Sequence, residues 1–207
     1  MNRAQKREKG APTIGRPRSF DREQALDCAM RVFWRKGYQG ASLSELTKAM
    51  GINRPSLYAA YGDKEALFRK ALDRYMGGQE YHLRAALQQA TARAVAKGLL
   101  LGAADSMCGS ARNPAGCLLV QGGLASGAEA DSVRIELSSR RQANEAMIRR
   151  RLQRAKREGD LPADSDPTTL ARYIATVSQG MAVQAAGGAS REELRWVAET
   201  ALRAWPK

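Results

Sequence analysis

The side chains best suited to chemistry in this chain lie in one short run, Asn53-Arg54-Pro55-Ser56, with Tyr58 just behind it and Lys64 beyond. A guanidinium such as Arg54 presents a planar fork of donors that matches O6 and N7 of guanine. The Ser56 hydroxyl suits a base edge or a phosphate oxygen, and Tyr58 suits a thymine methyl or a phosphate. Lys64 follows Asp63 at the expected opening of a helix, where a cation and unpaired amide N–H groups together hold a phosphate. This is the chemistry of recognition, not of turnover. It becomes a DNA reader only if a helix presents Arg54, Ser56 and Tyr58 at its exposed N-terminal end.

The flanking residues supply that helix. Asp21 and Gln24 resemble a capping box, and Leu26, Ala29, Met30 and Phe33 repeat at helical spacing, so a first helix is expected from about Asp21 to Lys36, stopped at Gly37. Ser42 and Glu45 form a second capping box, ahead of Leu43, Leu46, Thr47 and Met50, with Gly51 as the stop. Asn53 then caps a third helix with Pro55 in its first turn, where a missing N–H costs nothing. Two short helices across Gly51-Ile52-Asn53 have helix-turn-helix spacing.

Residues 15–72 resemble the DNA-binding domain of the TetR (tetracycline repressor) family. The resemblance rests on "A..VFW.KGY..AS" before helix 2, "L..AMGINRPSLY" across the turn and "YGDKEALF" into helix 4. It implies a homodimer whose recognition helices read a palindromic operator on double-stranded DNA. By position, Ser42 would touch phosphate, Arg54, Pro55, Ser56 and Tyr58 would face the groove, and Lys64 the backbone. Ala59 and Ala60 depart from the pattern, standing where many members carry tyrosine or histidine phosphate contacts. Arg16 and Arg18, in a basic N-terminal arm with Arg3, Lys6, Arg7 and Lys9 against Glu8 alone, are expected to compensate at the minor groove.

The remainder is patterned as helices. Helix 4 is expected to run towards Gly77-Gly78, followed by runs at about Glu80–Gln89, Thr91–Cys108, Asp131–Arg157, Asp166–Ala186 and Ser190–Ala204. The fold class expected is all-α: a disordered basic arm (1–18), a three-helix helix-turn-helix domain (19–72) and a helical-bundle domain for ligand binding and dimerisation (73–207). By family architecture, the last two helices form the dimer through Ala171, Ala175, Ala182, Ala198 and Ala201, anchored by Trp196 or Trp205. A small organic effector is expected among Leu99, Ala103, Met107, Leu118, Gln121, Met147 and Tyr173, since apolar walls with few polar groups suit such a ligand.

Composition narrows the alternatives. A net charge of +13 on 207 residues favours a polyanionic partner. No stretch approaches the roughly 18 apolar residues of a membrane span, and the first residues lack the apolar region of a secretory signal. Three cysteines without a CxxC pair fit a reducing, cytoplasmic home. No enzyme, cofactor or metal signature is present, and His82 stands without a sequence-local partner. Cys117, with Cys108 nearby, at the start of an expected helix, raises a thiol-based redox or electrophile sensor as a second reading. A nonspecific DNA-packaging protein, sharing the basic charge, is a third. The arginine-rich run from Arg140 to Arg157 reads as a solvated helix face, because Glu136, Glu145 and Glu158 interleave with it.

Overall fold

The computed structural model describes residues 20–124 and 130–206; the basic arm, with Arg16 and Arg18, lies outside them. Among the described residues every regular element is a helix: α1 (Arg22–Gly40), α2 (Leu43–Met50), α3 (Arg54–Tyr61), α4 (Lys64–Leu87), α5 (Ala92–Met107), α6 (Leu118–Leu124), α7 (Asp131–Arg157), α8 (Pro167–Ala186) and α9 (Arg191–Arg203).

Local chemistry sets most of these boundaries. Side chains of Asp21, Ser42, Asn53, Asp63, Thr91, Asp166 and Ser190 each accept a bond from an otherwise unpaired first-turn N–H. Both Ser42–Glu45 and Ser190–Glu193 close full capping boxes. Gly37 adopts φ +68° and breaks the regular course of α1, and Gly51 ends α2 at φ +68°, a left-handed conformation that side chains bearing a Cβ resist.

One expectation is overturned. Gly77-Gly78 does not interrupt α4; the helix runs straight through to Leu87 and absorbs the separate element expected at Glu80–Gln89. Two exposed glycines weaken a helix by about 1 kcal/mol each. Burial of Leu67, Phe68, Ala71, Leu72 and Tyr75 before them and of Ala86 after them holds both ends of α4 in place.

Two cores result, and α4 runs from one to the other. The first joins α1–α4 through Phe33, Leu46, Leu57 and Phe68, and extends to Leu118 and Leu119 of α6 and Val133 and Leu137 of α7. Phe33 meets Phe68 edge-on at 5.0 Å. Packing therefore crosses the boundary drawn at residue 72. The second core joins α5, α8, α9 and the C-terminal half of α7 around Leu100, Leu152, Ile174 and Met181. Ala171, Ala198 and Ala201 are buried there within the chain, as is Trp205 at 3% exposure, and Ala182 is buried within the chain as well. What α8 and α9 leave uncovered is Val183, Trp196 and Val197.

The corner between α4 and α5 is closed from a distance. The buried guanidinium of Arg151 donates to the carbonyls of Leu87, Gln89 and Ala90 at 3.1, 2.8 and 3.1 Å. The Asp160 carboxylate accepts from the Ala92 N–H at 2.5 Å.

A methyl group at Gly78 would meet nothing within 4 Å. Gly78→Ala is expected to stabilise the protein by about 1 kcal/mol, read as a higher midpoint in reversible urea unfolding with the slope unchanged.

Candidate nucleic-acid interface and cavity

The third helix is mounted from behind. Leu57 and Tyr61 are buried, and the Tyr61 hydroxyl donates to the Arg22 carbonyl at 2.6 Å, fixing α3 against the start of α1. The Asn53 side chain accepts from the Ser56 N–H at 2.8 Å. With that face and that end fixed, Arg54, Pro55 and Tyr58 (47% exposed) project outward, while Ser56 is half-buried beside them. Ala59 is exposed next to Tyr58 and offers no polar group.

Ser42 is exposed at the start of α2, with its hydroxyl engaged: it lies 2.9 Å from the Glu45 carboxylate and accepts from the Glu45 N–H at 3.2 Å. A phosphate there has to share the hydroxyl with Glu45. Lys64 opens α4 with its ammonium 4.6 Å from the centre of the Tyr38 ring, a cation–π contact that steadies a long side chain. Partial burial holds its pKa below the ordinary lysine value. Tyr38 as a platform for Lys64 is not visible locally, because the two lie in different helices.

The bundle forms a half-open cavity of about 420 Å³ between α4, α5, α7 and the start of α6. Three stripes of helical period line it, Asp73, Met76 and Glu80; Leu99, Ala103 and Met107; and Arg140, Asn144 and Met147; Cys117 and Leu119 join them from the head of α6. Gly77, Gly98 and Gly102 also line it and are exposed, so the α4–α5 side is its thin wall. Of the seven residues expected at an effector site, Leu99, Ala103, Met107 and Met147 are in this lining. Leu118 is instead buried in the first core. Gln121 donates to the Ala115 carbonyl at 3.4 Å, and Tyr173 donates to the Ala201 carbonyl at 3.0 Å across α8 and α9. Asp73 and Met76 fall within the helix expected before Gly77 and Glu80 within the one expected after it, and no local pattern aims them at a cavity.

Charge in the lining is matched. Arg140 bridges Asp73 at 2.7 Å and Glu136 at 2.6 Å, and Arg84 pairs with Glu80 at 2.5 Å. Burial opposes the Arg140 charge, but its two carboxylates outweigh burial and raise its pKa. His82 is exposed at the rim.

The three thiols are separated. Cys28 packs against the first core and accepts from Arg31 at 3.3 Å. Cys108 packs against the second core and donates to the Ala104 carbonyl at 3.2 Å. Cys117 packs against the first core, lines the cavity and accepts a hydrogen bond from the Tyr75 hydroxyl at 3.2 Å. Burial, then the neighbouring Cys117 sulfur, push the Tyr75 phenol far above its ordinary pKa, so it stays a protonated donor. On its other side, the Tyr75 ring meets Trp34 of α1 edge-on at 4.7 Å.

Part of the arginine run along α7 is structural, while Arg149, Arg150 and Arg157 form the expected solvated face. Arg140 and Arg151 make the ties above, Arg141 donates to the Leu119 carbonyl, and Arg154 pairs with Glu158 at 3.6 Å. No group of three or more His, Cys, Asp or Glu among the described residues could hold a metal ion, and no described helix is long and apolar enough to cross a membrane.

Comparison with known proteins places this geometry in a family. Residues 25–71 match the model for bacterial regulatory proteins of the tetR family, and residues 97–201 match a tetracyclin repressor-like C-terminal domain. The HTH-type transcriptional repressor ComR of Escherichia coli K12 is 36% identical over 197 residues, covering 93% of this chain and 92% of ComR. A solved structure of a cysteine mutant of the TetR family regulator CifR, complexed with 26-bp operator DNA, is 46% identical with a TM-score of 0.87, covering 92% of this chain and 100% of that one. A TetR regulator from Rhodococcus sp. RHA1 is 42% identical with a TM-score of 0.61, over 90% and 100%.

The mount of α2 carries a pH signature. Bonds from Lys36, then from Ser42, hold the Glu45 carboxyl down to about 2 from an ordinary 4.5. A carboxyl held down in the folded state stabilises it above the ordinary value, and the contribution fades as pH falls from 4.5 towards 2. Glu45→Gln is therefore expected to flatten the stability-versus-pH curve in that window at low salt, as measured by urea unfolding at each pH.

Proposed function

Because the chain belongs to the TetR family of transcriptional regulators, we propose that it is a homodimeric repressor that reads a palindromic operator through α3. Its cavity would take the small organic effector that releases it. The observation that carries this reading is the relative, alike along nearly the whole chain, that was solved on operator DNA. The exposed N-terminal end of α3, with Arg54, Pro55 and Tyr58 outward, supports it. So does Lys64 beside it.

A second copy would cover Val183, Trp196 and Val197 on α8 and α9, large apolar groups that the chain itself leaves in water. In such a dimer, two recognition helices roughly 34–36 Å apart enter successive major grooves. An effector that favours a conformer with another spacing must lower operator affinity, by linkage. With Asp73, Glu80 and Arg140 already paired, an uncharged effector fits the lining best.

The test is selection of bound duplexes from a random pool at near-physiological salt. One palindrome should be enriched, and Arg54→Ala should relax selection at the base it reads, a loss of about 1–3 kcal/mol. Uniform, salt-labile binding without a motif would instead support the packaging reading. Separately, Trp196→Asp should yield a monomer in sedimentation at micromolar protein and weaken operator binding by at least about tenfold. A stable dimer in that variant would move the interface elsewhere.

A further inference from the structure

Resting on the reading of the cavity as the effector site, we propose that this site takes small, uncharged carbon electrophiles. They alkylate Cys117, and the adduct lowers operator affinity. The cavity argues for the ligand. Its floor is rich in sulfur, with Met76, Met107, Met147 and Cys117 all lining it, and soft thioether walls suit a small polarizable guest. Beyond it lies a second chamber of about 170 Å³ towards Ile148, Ile174 and Gln179. Cys117 lines both chambers, so a guest in either one meets the sulfur. The paired charges of Asp73, Glu80 and Arg140 leave no unmatched guanidinium in the first chamber, and Arg141 at the second is held by the Leu119 carbonyl.

Tyr75 supplies the chemistry and the consequence. Its hydroxyl aims a hydrogen bond at the Cys117 sulfur, which favours the negative charge that develops as the thiol proton passes to water. The sulfur lone pair forms an S–C bond, and the displaced bonding pair departs with the leaving group. The new substituent on the sulfur crowds the Tyr75 hydroxyl, so the Tyr75 bond is lost where Tyr75 is already packed on Trp34. The disturbance is delivered into the core that mounts α3. Cys108 and Cys117 flank a turn closed by the Gly116 N–H on the Met107 carbonyl at 2.8 Å, so a disulfide between them is the competing modification.

Iodoacetamide and iodoacetate serve as matched probes, one neutral and one anionic; in each the S–C bond forms as C–I breaks and iodide leaves. Rates on the native full-length protein are followed by peptide mass mapping and normalised to free N-acetylcysteine. Cys117 should react with iodoacetamide at least about tenfold faster, on that normalised scale, than with iodoacetate. Operator affinity should fall by at least about tenfold in step with Cys117 occupancy. Cys108→Ser should respond as the wild type does; Cys117→Ala should show the same affinity before and after treatment, and Tyr75→Phe should slow the labelling.

Three outcomes would overturn the proposal: Cys117 unlabelled in the folded protein, labelling without loss of operator affinity, or a Cys108–Cys117 disulfide under mild oxidation as the only modification that affects binding. Untreated protein reports separately on the repressor reading. If it selects no operator, that reading fails whatever the thiol does; if it binds and ignores alkylation, only the thiol proposal fails.

Discussion

Tyr75 stands where the two halves of the molecule have to agree on one geometry. Its ring meets Trp34 of α1, its hydroxyl reaches the sulfur at the head of α6, and its backbone belongs to a helix of 24 residues that opens with Lys64 beside α3. An α-helix without a break transmits displacement along its axis, because every turn is tied to the next by backbone hydrogen bonds. The helical course continues past Tyr75 and through Gly77-Gly78. α4 thus lends residues both to the cavity wall and to the core on which α3 is mounted. The helix α7 braces this arrangement from outside, holding α4 through Arg140 on Asp73 and α6 through Arg141 on the Leu119 carbonyl.

The basic charge of the chain acquires direction from the way its acids are used. In the reading half, Asp21, Glu45 and Asp63 cap helices, Glu23 and Asp27 are bound by Arg74, and Glu65 pairs with Arg69. Each carboxylate there already faces a partner of its own molecule. The α3 face shown to a polyanion carries Arg54, with Lys64 near it, and no acid. In the regulatory half Arg140, Arg141, Arg151 and Arg154 likewise form internal ties, while Arg149, Arg150 and Arg157 face solvent.

How far the sequence could be read followed from the range of the interactions involved. Helix starts were legible because a cap is a bond over two or three residues: Asp21, Ser42, Asn53 and Ser190 announce themselves. The outward set on α3 was legible for the same reason, and the motif around the turn named its family. Reading failed at Gly77-Gly78, where local propensity says stop and burial on either side of the pair says continue. Tyr75, Met76 and Glu80 line the cavity through contacts between helices, which no local pattern reports. The alanines of α8 and α9 were misread in the opposite sense: small residues mark close approach, but nothing in their spacing says whether the neighbour is α5 of the same chain or a helix of another.

The corner at Leu87–Ala92 has a consequence for the order in which the molecule can assemble. Its carbonyls leave the ribosome 61 to 64 residues before the Arg151 guanidinium that satisfies them. The first core waits too, since Leu118, Leu119, Val133 and Leu137 complete it from downstream. A nascent chain ending near residue 110 would therefore hold α1–α5 with both cores open and the corner hydrated. For a helical protein this is an unusually non-local way to close, and it costs loop entropy before contacts repay it. The reading domain looks like a detachable module in sequence, yet the chain finishes it only after nearly half of the regulatory part has been made.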